Sequence, residues 1–269
     1  MKIGKATVPR TAICTSDEHT IVIRGQDLSR ELIGKISFVD HFFLLLTGRH
    51  PSAGEAAVLN ATLVAIAEHG LVPSVQAARM TFAAAPDAMQ GAVAAGILGC
   101  GSVVLGSSEV AGRFYSEIDA LIQAGKGRHE AALTVMRAWR AAGRSLPGYG
   151  HPLHKERDER VGALFEAARV AGTDLRFVAI AETVESFMPE VLGKPLKLNV
   201  SGAIPAVLLG AGFPVEALKG VPILARTAGL IAHMVEEMRQ PIGFALSYQA
   251  TREMQYDGEL PPHFGKTHA

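Results

Sequence analysis

Cysteine is scarce in this 269-residue chain, with Cys14 and Cys100 as its two examples. Two thiols are too few for a disulfide framework, and no cysteine or histidine pair has the spacing of a zinc site. No metal centre is expected. An excess of one charge sign is also missing, since 26 Lys and Arg balance 26 Asp and Glu. Neither nucleic acid nor an anionic membrane surface is therefore an expected partner, although neutrality leaves room for a local cationic pocket. Long apolar runs are lacking too. The most apolar region, about 203–235, is interrupted by Glu216, Lys219 and Arg226, short of the ~18 consecutive apolar residues that suggest a membrane span. The opening MKIGKATVPRTAICTSDEHT has no apolar run suited to secretion. These absences predict a soluble protein of a reducing, cytoplasmic compartment.

What is present is core material. Hydrophobic residues make up 48% of the chain and charged ones 19%, which argues against disorder. The length fits one large domain or two modest ones. Phe177, Ile180, Val184 and Phe187 recur at helical spacing, and so do Ile223, Thr227, Leu230, Met234 and Met238. Ser52 to Glu55 reads as a capping box opening a helix that carries Leu59, Leu63 and Ile66. Asp158 reads as the cap of a helix whose inner face holds Val161, Leu164, Phe165 and Ala168. Only HTIVIRG, near 19–25, looks extended. The class is all-α, broken most clearly at QAGKGRHE and AAGRSLPGYGHP.

The second break leads into GYGHPLHKERDER, residues 148–160. Gly148 and Gly150 let backbone approach a ligand or adopt positive φ, and Pro152 stiffens the exit. His151 between them can carry a proton near neutral pH. Arg160, in the first turn of the next helix, offers a planar fork suited to a carboxylate. A surface turn with solvated charges is the plain alternative. Arg226, Gly229 and His233 form a second polar set, read as lying opposite the apolar stripe of their helix. Arg239 closes that helix, where the dipole alone also favours a cation. His69, followed by Gly70, is equally ordinary as helix punctuation.

Taken in order, these segments resemble the citrate synthase superfamily, most closely its short citryl-CoA lyase branch. RGQDLSRELIGKISFVDHFFLLLTGRHPS, AEHGLVPSVQAAR, GYGHPLHKERDER, LKLNVSGAIPAVLLGAGFP and RTAGLIAHMVEEMRQP carry the resemblance, with Glu159 where the family usually has proline. It implies a multihelical fold with a large domain (1–104 and 200–269, with the dimer interface) and a small one (105–199, with the GYGHP loop and CoA contacts). It also implies a homodimer or higher homo-oligomer, with no permanently bound cofactor. Its ligands would be a coenzyme A thioester and a di- or tricarboxylate. By motif, His151 would contact the oxaloacetate carbonyl or take the proton of the citryl hydroxyl, and His69 would hold the oxaloacetate portion. Arg160, Arg226 and Arg239 would clamp carboxylates, Arg239 across the dimer. Gly148, Tyr149 and Gly150 would lie against CoA, with Lys194 as a further contact.

Two positions depart from the family pattern. Val104 stands where full citrate synthases place a histidine that supports the enolate oxygen, which favours the lyase side. Ser201 stands where the family has its catalytic aspartate, and a serine hydroxyl is no carboxylate base near neutral pH. Glu109 is a conceivable substitute whose geometry the sequence does not give. The leading reading is a citryl-CoA lyase-like enzyme, with reversible citrate synthase-type acyl transfer. The other readings are a catalytically impaired, ligand-binding regulatory homologue and a purely structural helical protein.

Overall fold

Short polar side chains decide where several helices begin. A computed structural model describes residues 9–101, 106–150 and 157–264. Among the described residues the α-helices are, in order, α1 (Phe38–Thr47), α2 (Ala53–Ala67), α3 (Pro73–Ala84), α4 (Met89–Leu98), α5 (Ser107–Gln123) and α6 (Arg128–Ala141). They continue with α7 (Glu159–Val170), α8 (Arg176–Leu192), α9 (Val200–Gly210), α10 (Gly220–Arg239) and α11 (Gly243–Glu253). Ser37 with Asp40, and Ser52 with Glu55, close reciprocal capping boxes at the starts of α1 and α2. Asp158 and Asn199 cap α7 and α9 through their side chains. The extended stretch near 19–25 is the centre of a small antiparallel meander, β1 (Cys14–Ser16), β2 (Ile21–Ile23) and β3 (Gln26–Asp27).

Backbone proximity divides the chain into two compact units. The first holds the described residues of Met1–Glu68 and Cys100–Arg226, and the second those of His69–Gly99 and Thr227–Ala269. The described residues of 105–199 belong to the first unit, and the unit boundary falls inside α10.

In the first unit α9 packs against α2, α5, α7 and α8. Residues Gly202 to Leu208 are all buried, as expected for a helix apolar all round. Pro205 sits inside that run. Val161, Leu164, Phe165 and Ala168 form the buried face of α7, as their spacing predicts. On α8, Phe177, Ile180 and Val184 are buried and Phe187 partly so. Leu59 and Ile66 are buried on α2.

The second unit has a smaller core of Val75, Ala78, Phe82, Ala92, Leu230 and Met234. Arg79 of α3 is buried beside it, with its Nε donating to Glu237 at 2.6 Å and further bonds to Glu236 and the Gln240 carbonyl. Glu237 in turn accepts from the backbone N–H groups of Ile242 and Gly243. A buried arginine persists when its donors are met by carboxylates in this way.

Two sequence expectations are corrected. On α10, Arg226 does not lie opposite the apolar stripe: Arg226 and Gly229 are buried along with Ala225, Leu230 and Met234, while Met238 is 58% exposed. The buried face is broad enough to include the arginine, and polar Glu237 takes the inner place near the helix end. The second correction concerns His69. Helix α2 stops at Ala67, Glu68 is extended, and left-handed Gly70 lies in the turn before α3 rather than at a left-handed cap. Among the described residues, no helix is long and apolar enough to cross a membrane.

Candidate active site

Gly148 and Gly150 both adopt left-handed backbone, with φ of 86° and 82°, a region that side-chain-bearing residues rarely enter. One residue gathers both of their carbonyls. Gly148 O accepts from the Asn199 backbone N–H at 3.0 Å, and Gly150 O accepts from the Asn199 side-chain amide at 2.7 Å. The Gly150 N–H donates to Lys197 O at 2.7 Å, and Tyr149 pairs with Leu198 in an antiparallel bridge. The Asn199 side-chain oxygen then accepts from the Gly202 N–H at 3.2 Å. The glycine loop is thereby sewn to the start of α9, the helix that carries Ser201.

Tyr149 fastens the loop from within the core. Its hydroxyl donates to Ala181 O at 2.9 Å, which leaves the Tyr115 hydroxyl, also 2.9 Å away, to donate to it. Burial pushes both phenols well above their usual range, so both remain neutral donors. Glu185 supports the same segment by accepting from the Leu198 N–H at 2.9 Å and pairing with Arg157 at 3.2 Å.

Asp158 caps α7, a helix that packs against α9. Its carboxylate accepts from the Arg160 backbone N–H and Nε, each at 3.0 Å, and from Arg160 Nη2 at 2.8 Å. Burial disfavours its charge, but the Arg160 and backbone bonds prevail and hold the carboxyl below its ordinary value. Ser201, next to Val200 in the first turn of α9, is partly buried. Gly148, Tyr149, Gly150 and the first turn of α9 with Ser201 are thus joined through Asn199, while Asp158 holds Arg160 at the start of α7, a helix packed against α9.

Arg226 is the first unit's other cationic candidate. It is 5% exposed, and its Nε and Nη1 have no hydrogen-bond partner among the described residues. An unpaired buried guanidinium is costly, and a carboxylate is its natural complement. Lys194 is exposed between α8 and α9, and Glu109 pairs with Arg113 at 2.9 Å. Of the second unit's candidates, His69 lies in the turn ahead of α3 and Arg239 is exposed at the end of α10. His151 and Val104 lie outside the described residues. Among the described residues, no group of three His, Cys, Asp or Glu side chains is placed to hold a metal.

Sequence reasoning passed over Asn199, Tyr115 and Arg79. The first has a recognisable signal, an Asn just before an apolar helical run. The bonds of Tyr115 and Arg79 span 34 and 158 positions, respectively, and no local pattern announces them.

Residues 6–243 match the family described as citrate synthase, C-terminal domain, and the chain belongs to the citrate synthase family. Its fold is similar to that of citryl-CoA lyase from Hydrogenobacter thermophilus, with a TM-score of 0.82 and 32% identity over 95% of this chain and 96% of that one. ATP citrate lyase from Methanothrix soehngenii, solved with citrate and coenzyme A, shares the fold at a TM-score of 0.75 and 24% identity, covering 96% of this chain and 43% of that one. Citrate synthase of Haloferax volcanii is 24% identical over 73% of this chain and 50% of its own length. The chain spans about half the length of the curated citrate synthases it matches.

Proposed function

We propose that this protein is a citryl-CoA lyase-like enzyme. It cleaves citryl-CoA, or a related 3-hydroxyacyl-CoA, to acetyl-CoA and oxaloacetate, with citrate synthase-type condensation as the reverse. The observation that carries this reading is Arg226, a buried guanidinium whose unclaimed donors suit a carboxylate. The 32% identity with citryl-CoA lyase over nearly the full length of both chains supports the same reading.

In the proposed reaction, Arg160, Arg226 and Arg239 hold the carboxylates and His69 holds the oxaloacetate portion. His151 takes the proton of the tertiary hydroxyl as the carbon–carbon bond breaks. The carbonyl of oxaloacetate forms, and the bonding electrons pass to the thioester as an enolate. A proton from water then completes acetyl-CoA, with the Ser201 hydroxyl orienting that water, and the hydroxide left behind regains a proton from His151. The backbone of Gly148, Tyr149 and Gly150, together with Lys194, contacts CoA. Segment 105–199 acts as the smaller domain of a cytoplasmic homodimer, and a second copy covers exposed apolar side chains such as Val235, Met238 and Phe244.

Incubation of the purified protein with citryl-CoA should release acetyl-CoA and oxaloacetate together. No release, combined with clear turnover of another acyl-CoA, would reassign the substrate. Ser201 also motivates a second reading, a regulatory homologue that binds CoA and oxaloacetate without turning over any thioester. Calorimetric binding of both ligands without turnover would favour that one.

A further inference from the structure

A guanidinium has two edges on which a carboxylate can sit in two-pronged fashion, the side edge Nε–Nη2 and the end edge Nη1–Nη2. In this protein Asp158 occupies the side edge of Arg160. Among the described residues no partner takes the end edge, and its plane is fixed by the carboxylate behind it. The same carboxylate accepts from the backbone N–H of Arg160, in the first turn of α7. A carboxylate offers about four acceptor positions, and Asp158 commits three of them, on both of its oxygens, to Arg160 N, Nε and Nη2. It is therefore not a spare base standing in for the aspartate that Ser201 replaces.

We propose that Asp158 is a positioning residue that aims the end edge of Arg160 at a substrate carboxylate and ties that aim to the first turn of α7. This rests on the lyase reading for the role of Arg160 and adds to it a residue that touches no substrate. Asn is as good a helix cap as Asp, so Asp158→Asn separates the two duties. Its side-chain oxygen keeps the cap, while its amide NH2 faces Nη2 with donor against donor.

The test is calorimetry on the full chain with oxaloacetate and, separately, with CoA. Asp158→Asn should weaken oxaloacetate binding roughly tenfold, as expected for one charge-assisted bond, with CoA binding and melting temperature little changed. In an Arg160→Ala background, the same substitution should have no further effect. Unchanged oxaloacetate affinity in Asp158→Asn, or an equal loss in both backgrounds, overturns the proposal while leaving the lyase reading intact. If Arg160→Ala itself binds oxaloacetate like the unaltered protein, Arg160 is no carboxylate clamp and both readings of that residue fall. Should Asp158→Asn not fold, Arg160→Lys keeps the cap but loses the planar edge, and unchanged oxaloacetate affinity in that variant overturns the proposal.

Discussion

Gly148 and Gly202 meet backbone to backbone. A Cβ added to Gly148 would lie 2.6 Å from the Gly202 Cα, and one added to Gly202 would lie 2.7 Å from the Gly148 carbonyl oxygen. The loop that precedes His151 and the helix that carries Ser201 touch at a point with no room for a side chain on either partner.

Gly202→Ala should therefore be among the more damaging single-methyl changes in the first unit. The new methyl also meets Leu198 Cδ1 at 2.6 Å, and overpacking of this kind costs about 1–3 kcal/mol. Urea denaturation should show a lower midpoint. A midpoint equal to that of the unaltered protein would mean the loop can move aside freely.

Tyr149→Phe removes the hydroxyl that donates to Ala181 O and accepts from Tyr115. Two buried polar groups lose their partner, and each such loss costs about 1–3 kcal/mol. The double variant Tyr115→Phe/Tyr149→Phe should be less destabilised than the sum of the singles, because Tyr115 then has no hydroxyl left to satisfy. Strict additivity in thermal melts would contradict the hydrogen-bond chain.

Acid stability should depend on Glu55. Its bonds with Arg49, at 2.6 and 2.8 Å, and with the Ser52 N–H outweigh burial and lower its pKa from 4.5 to about 2. Because the folded value is the lower one, the stabilisation is complete above pH 4.5 and fades as pH falls towards 2. Glu55→Gln keeps the capping box but removes this titration, so its stability should change less steeply across that window. Arg49 is half exposed, so added salt should shrink the difference. Parallel slopes for the two proteins would remove Glu55 from the account.

Ser201→Asp restores a carboxylate at the first turn of α9, where a negative charge suits the helix dipole. Condensation of acetyl-CoA with oxaloacetate should rise by about 10²- to 10⁴-fold if the absent base limits the rate. No gain in a folded variant that binds both ligands would show that this position does not set the rate.

The helices and their caps are legible in the sequence because their causes are local. Ser52 and Asp158 announce α2 and α7 within four residues, and the face Val161–Leu164–Phe165–Ala168 is buried as its spacing requires. Arg226 is legible as a candidate but misplaced on its helix, because periodicity ranks it with polar residues while its neighbours bury it. The junction itself is not legible. It depends on Asn199 bonding to residues some 50 positions away and on a phenol pair separated by 34. Such pairings follow from the fold rather than from any repeat along the chain.

Pro205 adds a mechanical consequence. Its ring nitrogen has no hydrogen to give, so the carbonyl of Ser201, one turn earlier in α9, lacks the donor that an unbroken helix would supply. Unwinding the turn at Ser201 therefore sacrifices one bond fewer than the same motion elsewhere, and the rest of α9, packed in the core, can stay still while its tip yields.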